Sequence, residues 1–512
     1  MDPARAKRLG MWLLALHLLW RAARYFADFP LWGDEAFVAL NLDDRDCAGL
    51  FAPLEYGQIA PLGWLCMMDA VRDFFGAHAW ALRLPAFAAG VASALLMFRL
   101  CFRLAPGAGG LLGFAIFAAS YYPMRHGAEL KPYAFDLLFA LLLIGAALNL
   151  LEQKPRARAW AALAAAAWLG VGFSFPSLFV TSAALAVLGV RALRARDRAA
   201  LGRIALIGAV WAGSAAWMLA RFAAPHAEAA SWLSQMAMWS PTFPPLERPW
   251  EWPWWLLQMH AGYMSAYPTG GRDFGSAATL LLILVGLWTW RPRLRGAVLG
   301  VLLGALAFNF LAAAAHRYPY GGSVRTAIHS APAFCLLAGL GLAALLARWR
   351  AERRGVPLAC IALAALPVGG IAEDLTHPYK IEADRNCERF IADAAARIRP
   401  GDAVVGFVNA RADGAPDWHG LGGSAARLRW MARHGLPAPV EWNAPPHRAE
   451  RLWLLAYADD NDTAMPFPAQ DFDALLTAWT ALFGLPQIAL SSTFGDTEQA
   501  ELYFFTPQPV DR

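Results

Sequence analysis

Long apolar segments recur along this chain and constrain its fold more than any other feature. A helix that crosses a bilayer needs about 20 mostly apolar residues. Only 16% of the 512 residues are charged, against about 25% in soluble domains, and 58% are hydrophobic. We therefore expect a polytopic α-helical membrane protein with about 11 transmembrane helices, near residues 9–27, 79–101, 110–124, 132–151, 158–174, 176–192, 202–222, 276–290, 296–315, 326–347 and 356–372.

Basic runs occupy every second connection between these segments. They read ARAKR, RLCFR, KPRAR, RALRARDR, RPRLR and RWRAERR. Because Lys and Arg concentrate in cytoplasmic loops, the pattern predicts a cytoplasmic amino terminus and explains the net charge of +5 without nucleic acid. No small-residue cleavage site follows the first segment, which indicates a retained helix and not a removed signal peptide.

The composition becomes polar after residue 372. This change predicts a multi-span transmembrane domain over 1–372 and an extracytoplasmic C-terminal α/β domain over 373–512. Hydrophobic periodicity and turn residues predict the elements of that domain. They are a helix, a Pro-Gly turn and a strand over 387–409, a strand over 451–457, a helix over 471–484 and a hairpin over 487–506.

Two further outer segments, 28–78 and 223–275, are too long to be simple turns. The first contains an apolar stretch with helical spacing and Asp69, Arg72 and Asp73 on its polar side, which predicts a short interfacial helix. The second holds six Trp between residues 232 and 255. Because Trp favours the headgroup level, we interpret it as an interfacial anchor. An aromatic wall for a sugar or acyl chain is the alternative.

The six cysteines form no C-x-x-C pair and no metal-like spacing. Cys47 and Cys387 both fall on the expected outer face, and the sequence leaves open whether they are in contact there. Most of the others lie in or beside apolar segments, where a thiol packs as a small hydrophobe.

Three charged clusters fall on the same expected face. They comprise Asp34 and Glu35 after the first span, Arg125, His126, Glu129, Lys131 and Asp136 around the start of the fourth, and His316, Arg317, Arg325 and His329 between the ninth and tenth. Ionisable groups near a bilayer core usually meet water or a partner. Solvated turns, helix-linking ion pairs and snorkelling arginines are the structural interpretation.

A phosphate-bearing lipid substrate is the functional interpretation, since Arg presents a planar fork to phosphate oxygens. No nucleotide-binding motif is present. If the substrate is a polyprenyl phosphate sugar, the phosphate is already a good leaving group. A second carboxyl is then not needed as an acid, unlike in glycoside hydrolysis. One carboxylate deprotonates the acceptor, cations stabilise the departing phosphate, and direct displacement inverts the anomeric centre.

The stretch PLWGDEAFVALNL resembles the first outer loop of GT-C glycosyltransferases, the superfamily that includes protein O-mannosyltransferases and lipid A aminoarabinose transferases. WALRLP and GAELKPYAF resemble segments that follow in bacterial members, so the likeness covers roughly residues 10–150. It implies a cell-envelope enzyme in the bacterial cytoplasmic (inner) membrane. Such an enzyme moves a sugar from a polyprenyl phosphate donor to a lipid, glycan or protein acceptor on the outer face.

The same resemblance implies roles for individual residues. Asp34 is the expected base, and Glu35 supports it or contacts the acceptor. Lys131, Arg317 and Arg325 are expected to hold the donor phosphate, although Lys131 stands where the family pattern has Arg and lacks its bidentate fork. Members of the superfamily sometimes recruit a divalent metal at the acid pair, but nothing in this sequence requires one. Further candidates for the site are Arg125, Glu129, Tyr133 and Gln58.

Three other functions use some of the same residues. A transporter or flippase for a lipid-linked sugar needs the cations but no base. An envelope polysaccharide polymerase or ligase has related chemistry on another scaffold, and an assembly subunit would use the outer domain only to bind a partner. The sequence does not specify the sugar or the acceptor.

Overall fold

The computed structural model describes residues 1–151, 157–223, 239–292, 295–379, 381–407, 423–442, 451–459, 476–477, 479–480, 486–493 and 498–505. Contacts between residues divide the chain into two compact units. The helical unit comprises Met1–Ala27, Cys47–Pro53 and Ile59–Thr376, and the mixed unit comprises Asp28–Asp46, Leu54–Gln58 and His377–Arg512. The first outer segment therefore contributes to both units, whereas the predicted boundary at 372 assigned it entirely to the transmembrane domain.

The helical unit consists almost entirely of α-helices. The longer ones are Pro3–Phe26, Ala79–Leu104, Tyr133–Leu150, Ala157–Phe173, Ser177–Arg194, Arg198–Met218, Arg295–Ala314, Ala331–Arg348 and Glu352–Thr376. The shorter ones are Leu62–Phe75, Ala108–Ala118, Tyr121–Arg125, Trp252–Ala261, Ala277–Thr289 and Val324–Ala327. The helix expected in the first outer segment, with Asp69, Arg72 and Asp73, is the one over Leu62–Phe75.

Ten of the predicted spans coincide with continuous helical segments, whereas the third, 110–124, is divided between helices Ala108–Ala118 and Tyr121–Arg125. Within the described ranges, seven helical segments are long and apolar enough to cross a membrane, and three apolar helices are shorter. Pro3–Phe26 occupies the first predicted span. The polytopic membrane class is confirmed, whereas a count of eleven spans is not.

Two arginines in the outer half of the first helix are buried instead of reaching water. Arg24 pairs with Asp374, which also accepts a hydrogen bond from the indole of Trp20 at 3.0 Å. Arg21 donates to His17 at 2.9 Å and passes between Gly90 and Gly127. A Cβ on either glycine would lie 2.2 Å or less from the guanidinium. Charge inside this unit is thus accommodated by specific partners, as bilayer-embedded charge requires.

A disulfide joins Cys47 to Cys66, 19 residues apart. Because the thiol of Cys47 is bonded to Cys66, a disulfide between Cys47 and Cys387 is excluded. Cys387 is a buried free thiol among the apolar side chains of the mixed unit. Its neighbours Phe390 and Ile391 form a core in which sulfur packs as a hydrophobe.

Replacing Cys66 by Ser is expected to destabilise the first outer segment by about 3 kcal/mol, because a cross-link of this loop length restricts the unfolded chain. The measurement is thiol alkylation and thermal unfolding of the purified protein with and without reductant. Cys360→Ser, at a half-buried free cysteine, is the control. Equal alkylation of Cys47 before and after reduction would contradict the pairing.

The mixed unit contains a five-stranded sheet of order β2-β1-β3-β5-β4. The strands are β1 (Ala403–Phe407), β2 (Val440–Trp442), β3 (Leu452–Asp459), β4 (Gln487–Thr493) and β5 (Glu498–Phe505). β1 runs parallel to β2 and β3, and β5 is antiparallel to β3 and β4. The predicted strands and the antiparallel pairing of the hairpin are confirmed, and they form a small C-terminal sheet.

Two apolar cores flank this sheet. One includes Phe390 and Ile391 from helix Glu382–Ala395, together with Leu428 from helix Gly423–Gly435. The other includes Trp479 and Phe505. Most of the predicted helix over 471–484, the hairpin turn near Gly495 and Asp496, and Trp232 lie outside the described residues.

Asp402, beside the predicted Pro-Gly turn, accepts hydrogen bonds from the indole of Trp453 at 2.8 Å and from Arg451 at 3.0 Å. Burial raises the pKa of Asp402, but these donors and the backbone N–H of Arg399 outweigh it, so the pKa is lowered. A carboxyl with a depressed folded-state pKa stabilises the fold above its unfolded value. That contribution disappears as the pH falls through the folded value.

Asp402→Asn is therefore expected to destabilise the sheet by about 2 kcal/mol near pH 7. The difference from wild type should shrink as the pH falls below about 4. Hydrogen exchange of β1 and β3, corrected for intrinsic rates, measures this difference in stability at pH 7 and below about pH 4. The exposed Asp393 on helix Glu382–Ala395 supplies the control variant Asp393→Asn. A difference that stays constant with pH would contradict the expectation.

Candidate functional site

The acid pair opens a helix in the mixed unit. Asp34 and Glu35 lie in the first turn of helix Gly33–Asp44, where negative charge is favoured by the helix dipole. Glu35 is fully buried and accepts a hydrogen bond from the backbone N–H of Trp32 at 3.3 Å. Asp34 is partly exposed. The geometry thus gives Glu35 a capping role, whereas the side chain of Asp34 is in part accessible to solvent.

The segment Leu54–Gln58 packs beside this helix in the same unit. The side chain of Asn41 accepts from the backbone N–H of Glu55 at 2.9 Å and donates to its carbonyl at 3.3 Å. Gln58 donates to the carbonyl of Tyr56 at 3.1 Å. The candidate Gln58 is therefore placed in the same unit as Asp34.

In the helical unit, Glu129 is the centre of a buried charged cluster. It is 4% exposed, and its two oxygens accept from Arg125 at 2.7 Å and meet His126 Nδ1 at 2.8 Å. The short helix Tyr121–Arg125 and the turn His126–Ala128 bring these side chains together. An ion pair between Arg125 and Glu129 is therefore present in this loop, with His126 as a third member.

Three further groups surround this cluster. Tyr133 packs edge-on against His126, with ring centroids 4.9 Å apart. Lys131 is 6% exposed, and its backbone N–H donates to the carbonyl of Glu129 at 2.8 Å. Asp136, in the first turn of helix Tyr133–Leu150, is buried. The sequence candidates from 125 to 136 therefore form one buried polar region.

In the third charged cluster, Arg325 is half-buried and Arg317 is exposed. Arg325 places its guanidinium 5.2 Å from the ring centre of Trp239, and its charge acts on His126. Arg317 is exposed. The turn between them needs Gly322, which has φ +72° and where a Cβ would lie 2.1 Å from Thr242. The structure therefore associates Arg325, but not Arg317, with the cluster around Glu129.

The pKa values of this cluster follow from burial and charge. Burial lowers the pKa of His126, and Arg125 and Arg325 act in the same direction, although Glu129 acts to raise it. Burial also acts to lower the pKa of Arg125, but Glu129 outweighs burial and raises it. At neutral pH the imidazole of His126 is therefore neutral, and the guanidinium of Arg125 keeps its charge.

The Trp-rich segment has two kinds of tryptophan among its described residues. Trp239 and Trp255 are buried, and the indole of Trp255 donates to the carbonyl of Pro241 at 2.8 Å. Trp250 and Trp254 are exposed. The anchor and the aromatic wall both stay predictions for this segment.

Sequence reasoning did not link Arg325 to Trp239, because the two lie 86 positions apart in separate connections. It also missed Asp43 and Asp44, which meet basic residues of helix Gly423–Gly435. The basic positions 429 and 433, four residues apart, were an available signal. Across the described ranges, no group of three or more His, Cys, Asp or Glu is arranged to hold a metal ion.

These features define a polytopic helical membrane protein, and its fold is shared with known membrane-protein structures. The chain is similar to two crystal structures of the aminoarabinose transferase ArnT from Cupriavidus metallidurans, one bound to undecaprenyl phosphate and one in the apo state. The TM-scores are 0.56 and 0.55, with 12% identity, 96% of this chain covered and 97% of each ArnT chain. The resemblance inferred from the sequence is confirmed for the fold.

A further similarity is to the apo oligosaccharyltransferase of Archaeoglobus fulgidus, with a TM-score of 0.49 and 12% identity. It covers 86% of this chain and 65% of that one. No protein-family model and no curated protein sequence matches the chain.

Proposed function

We propose that this protein is a membrane glycosyltransferase that moves a sugar from a polyprenyl phosphate donor to a lipid, glycan or protein acceptor. One observation carries the proposal: the fold likeness over 96% of the chain to an ArnT structure bound to undecaprenyl phosphate. Glycosyl transfer also requires both the acid pair and the cations near Glu129, whereas transport requires the cations but not the acid pair.

Asp34 acts as the general base in this proposal. A base must reach the acceptor and still hold a fixed position. Partial exposure of Asp34 at the start of a helix whose cap is the buried Glu35 meets both conditions. Attack by the deprotonated acceptor on the anomeric carbon expels the polyprenyl phosphate and inverts that centre.

Arg125, Lys131 and Arg325 stabilise the departing phosphate. Cations held before the reaction do this at little reorganisation cost, and the contacts of Arg125 with Glu129 and of Arg325 with Trp239 hold both in place. Tyr133 supports His126 in the same region. Arg317, being exposed, has a smaller role.

The reaction takes place on the outer face of the cytoplasmic membrane in this proposal. Disulfides persist in oxidising compartments, and the Cys47–Cys66 bond lies in the segment that carries the acid pair. The alternation of basic runs predicts the same orientation. The amino terminus is then cytoplasmic and the mixed unit extracytoplasmic.

The test uses purified protein in liposomes with undecaprenyl phosphate sugars as donors and an envelope lipid fraction as acceptor. Appearance of labelled product with the inverted anomeric configuration, together with stoichiometric undecaprenyl phosphate, is expected. Movement of the intact donor across the bilayer without such product would reject the transferase and favour the transporter.

Lys131→Ala is expected to lower kcat/KM for the donor by roughly 10- to 100-fold, because a buried cation contributes about 1.5–3 kcal/mol through hydrogen bonds to a charged group. Lys131→Arg should retain more activity, since Arg keeps the charge and adds a fork. Arg317→Ala, at an exposed position, should change it less than threefold. Initial rates at varied donor concentration give kcat/KM for each variant. Equal losses of kcat/KM in Lys131→Ala and Arg317→Ala would contradict the expectation.

A further inference from the structure

Helix Gly33–Asp44 ends on two aspartates, an arrangement that its own dipole disfavours. Negative charge is destabilising at a helix C-terminus, so Asp43 and Asp44 need cations from elsewhere. Helix Gly423–Gly435, in the same unit, supplies them. Its last turn carries Arg433 and His434, where positive charge is favoured.

The contacts between these two helices are close. Arg433 Nη1 lies 2.6 Å from an oxygen of Asp44, and His434 Nε2 lies 2.6 Å from an oxygen of Asp43. Arg429, one turn earlier, lies 3.3 Å from the other oxygen of Asp44. Asp43 is 7% exposed at its side chain. Two arginines and a histidine of one helix therefore hold two carboxylates of the other.

A tyrosine extends the same contact. Arg429 also donates to the hydroxyl of Tyr56. The ring of Tyr56 stacks on that of Phe37, in helix Gly33–Asp44, with centroids 5.0 Å apart. Tyr56 adopts φ +60°, a conformation that costs free energy for a residue with a side chain. Burial raises the pKa of Tyr56 to about 12, despite the opposing charge of Arg429, so it accepts this bond as a neutral phenol.

Helix Gly423–Gly435 is itself fixed to the sheet-bearing part of the unit. Arg427 and Asp384, both buried, form an ion pair that joins it to helix Glu382–Ala395. Leu428 packs in the same core as Phe390. Helix Gly423–Gly435 therefore links the C-terminal core to the last turn of helix Gly33–Asp44. Asp34 lies in the first turn of that second helix, about 15 Å along the axis from Asp44.

We propose that Arg429, Arg433 and His434 are positioning residues, which fix the direction of helix Gly33–Asp44 and through it the Asp34 carboxylate. The inference rests on the proposed role of Asp34 as the base. Displacement of a catalytic carboxylate by about 1 Å lowers the reaction rate roughly 100-fold. Loss of these contacts should therefore lower kcat while leaving the KM for the donor unchanged, since the donor cations belong to the other unit.

The experiment compares Arg433→Gln, Asp44→Asn and the double variant in the full-length protein. Each single variant is expected to lower kcat by about 10-fold, and the double variant by no more than either single variant. Hydrogen exchange over residues 33–44 should rise in all three, while exchange in β1 and β3 stays as in wild type. Arg389→Gln, at an exposed arginine of helix Glu382–Ala395, is the control and should match wild type in both readouts.

Unchanged exchange over 33–44 with unchanged kcat in Arg433→Gln would overturn the positioning role. Faster exchange throughout the sheet would also overturn it, because the pair would then only support folding. If the wild type shows no transfer at all, the proposed function fails instead. Faster exchange over 33–44 would then still support the mechanical link between the helices.

Discussion

Asp34→Asn is expected to abolish most sugar transfer, with kcat lowered by roughly 10²- to 10⁴-fold. Asn preserves the volume and part of the hydrogen bonding but cannot take the proton of the acceptor. Because Asp34 is partly exposed and lies in a first turn whose cap is Glu35, the fold should be unaffected. Rates from the liposome assay, with expression level and donor binding measured beside them, test this expectation.

Two comparisons sharpen that result. Asp46→Asn, at an exposed aspartate of the same outer segment, should keep wild-type rates. Glu35→Gln should lower stability as well as rate, because Glu35 is buried and bonded to the backbone. Transfer by Asp34→Asn at the wild-type rate would remove Asp34 from the mechanism.

Glu129→Gln is expected to destabilise the helical unit by about 3 kcal/mol, the lower part of the range for breaking a buried ion pair. The value is at the low end because Arg125 keeps 23% of its side chain exposed. Transfer should fall too, since Arg125 and His126 lose the carboxylate that orients them. Thermal unfolding in detergent and donor titration measure the two effects.

A surface pair of similar geometry provides the control. Arg248 and Glu251 lie 2.8 Å apart, but their side chains are 61% and 38% exposed. Exposed pairs contribute less than about 1 kcal/mol, so Glu251→Gln should leave the melting temperature nearly unchanged. Equal melting temperatures for Glu129→Gln and wild type would show that the buried pair is dispensable.

Hydropathy was sufficient to locate the long apolar helices, because a bilayer-length apolar segment has few other stable conformations. The strand β3 and the hairpin β4–β5 were predicted from alternation and turn residues. The resemblance around Asp34 and Glu35 predicted the fold. These features depend on local sequence, which a single chain displays directly.

The remaining features depend on residues far apart in the sequence. The bond between Cys47 and Cys66, the Arg325–Trp239 contact and the pairing of Arg433 with Asp44 arise only after packing. Residues 28–46 also contain helix Gly33–Asp44, which the sequence pattern indicated only as an outer loop with an acidic pair. Neither periodicity nor composition specifies which distant partner a charged side chain will meet.

The grouping of Asp28–Asp46 with His377–Arg512 has a consequence for protein engineering. A hybrid enzyme that takes its last 136 residues from a relative would join foreign cations to the native Asp43 and Asp44. The exchangeable module is therefore discontinuous: residues 28–46, 54–58 and 377–512 should be transplanted together. Hybrids made at the single junction near residue 377 should express but turn over slowly, and co-transplanting the two short pieces should restore their rate.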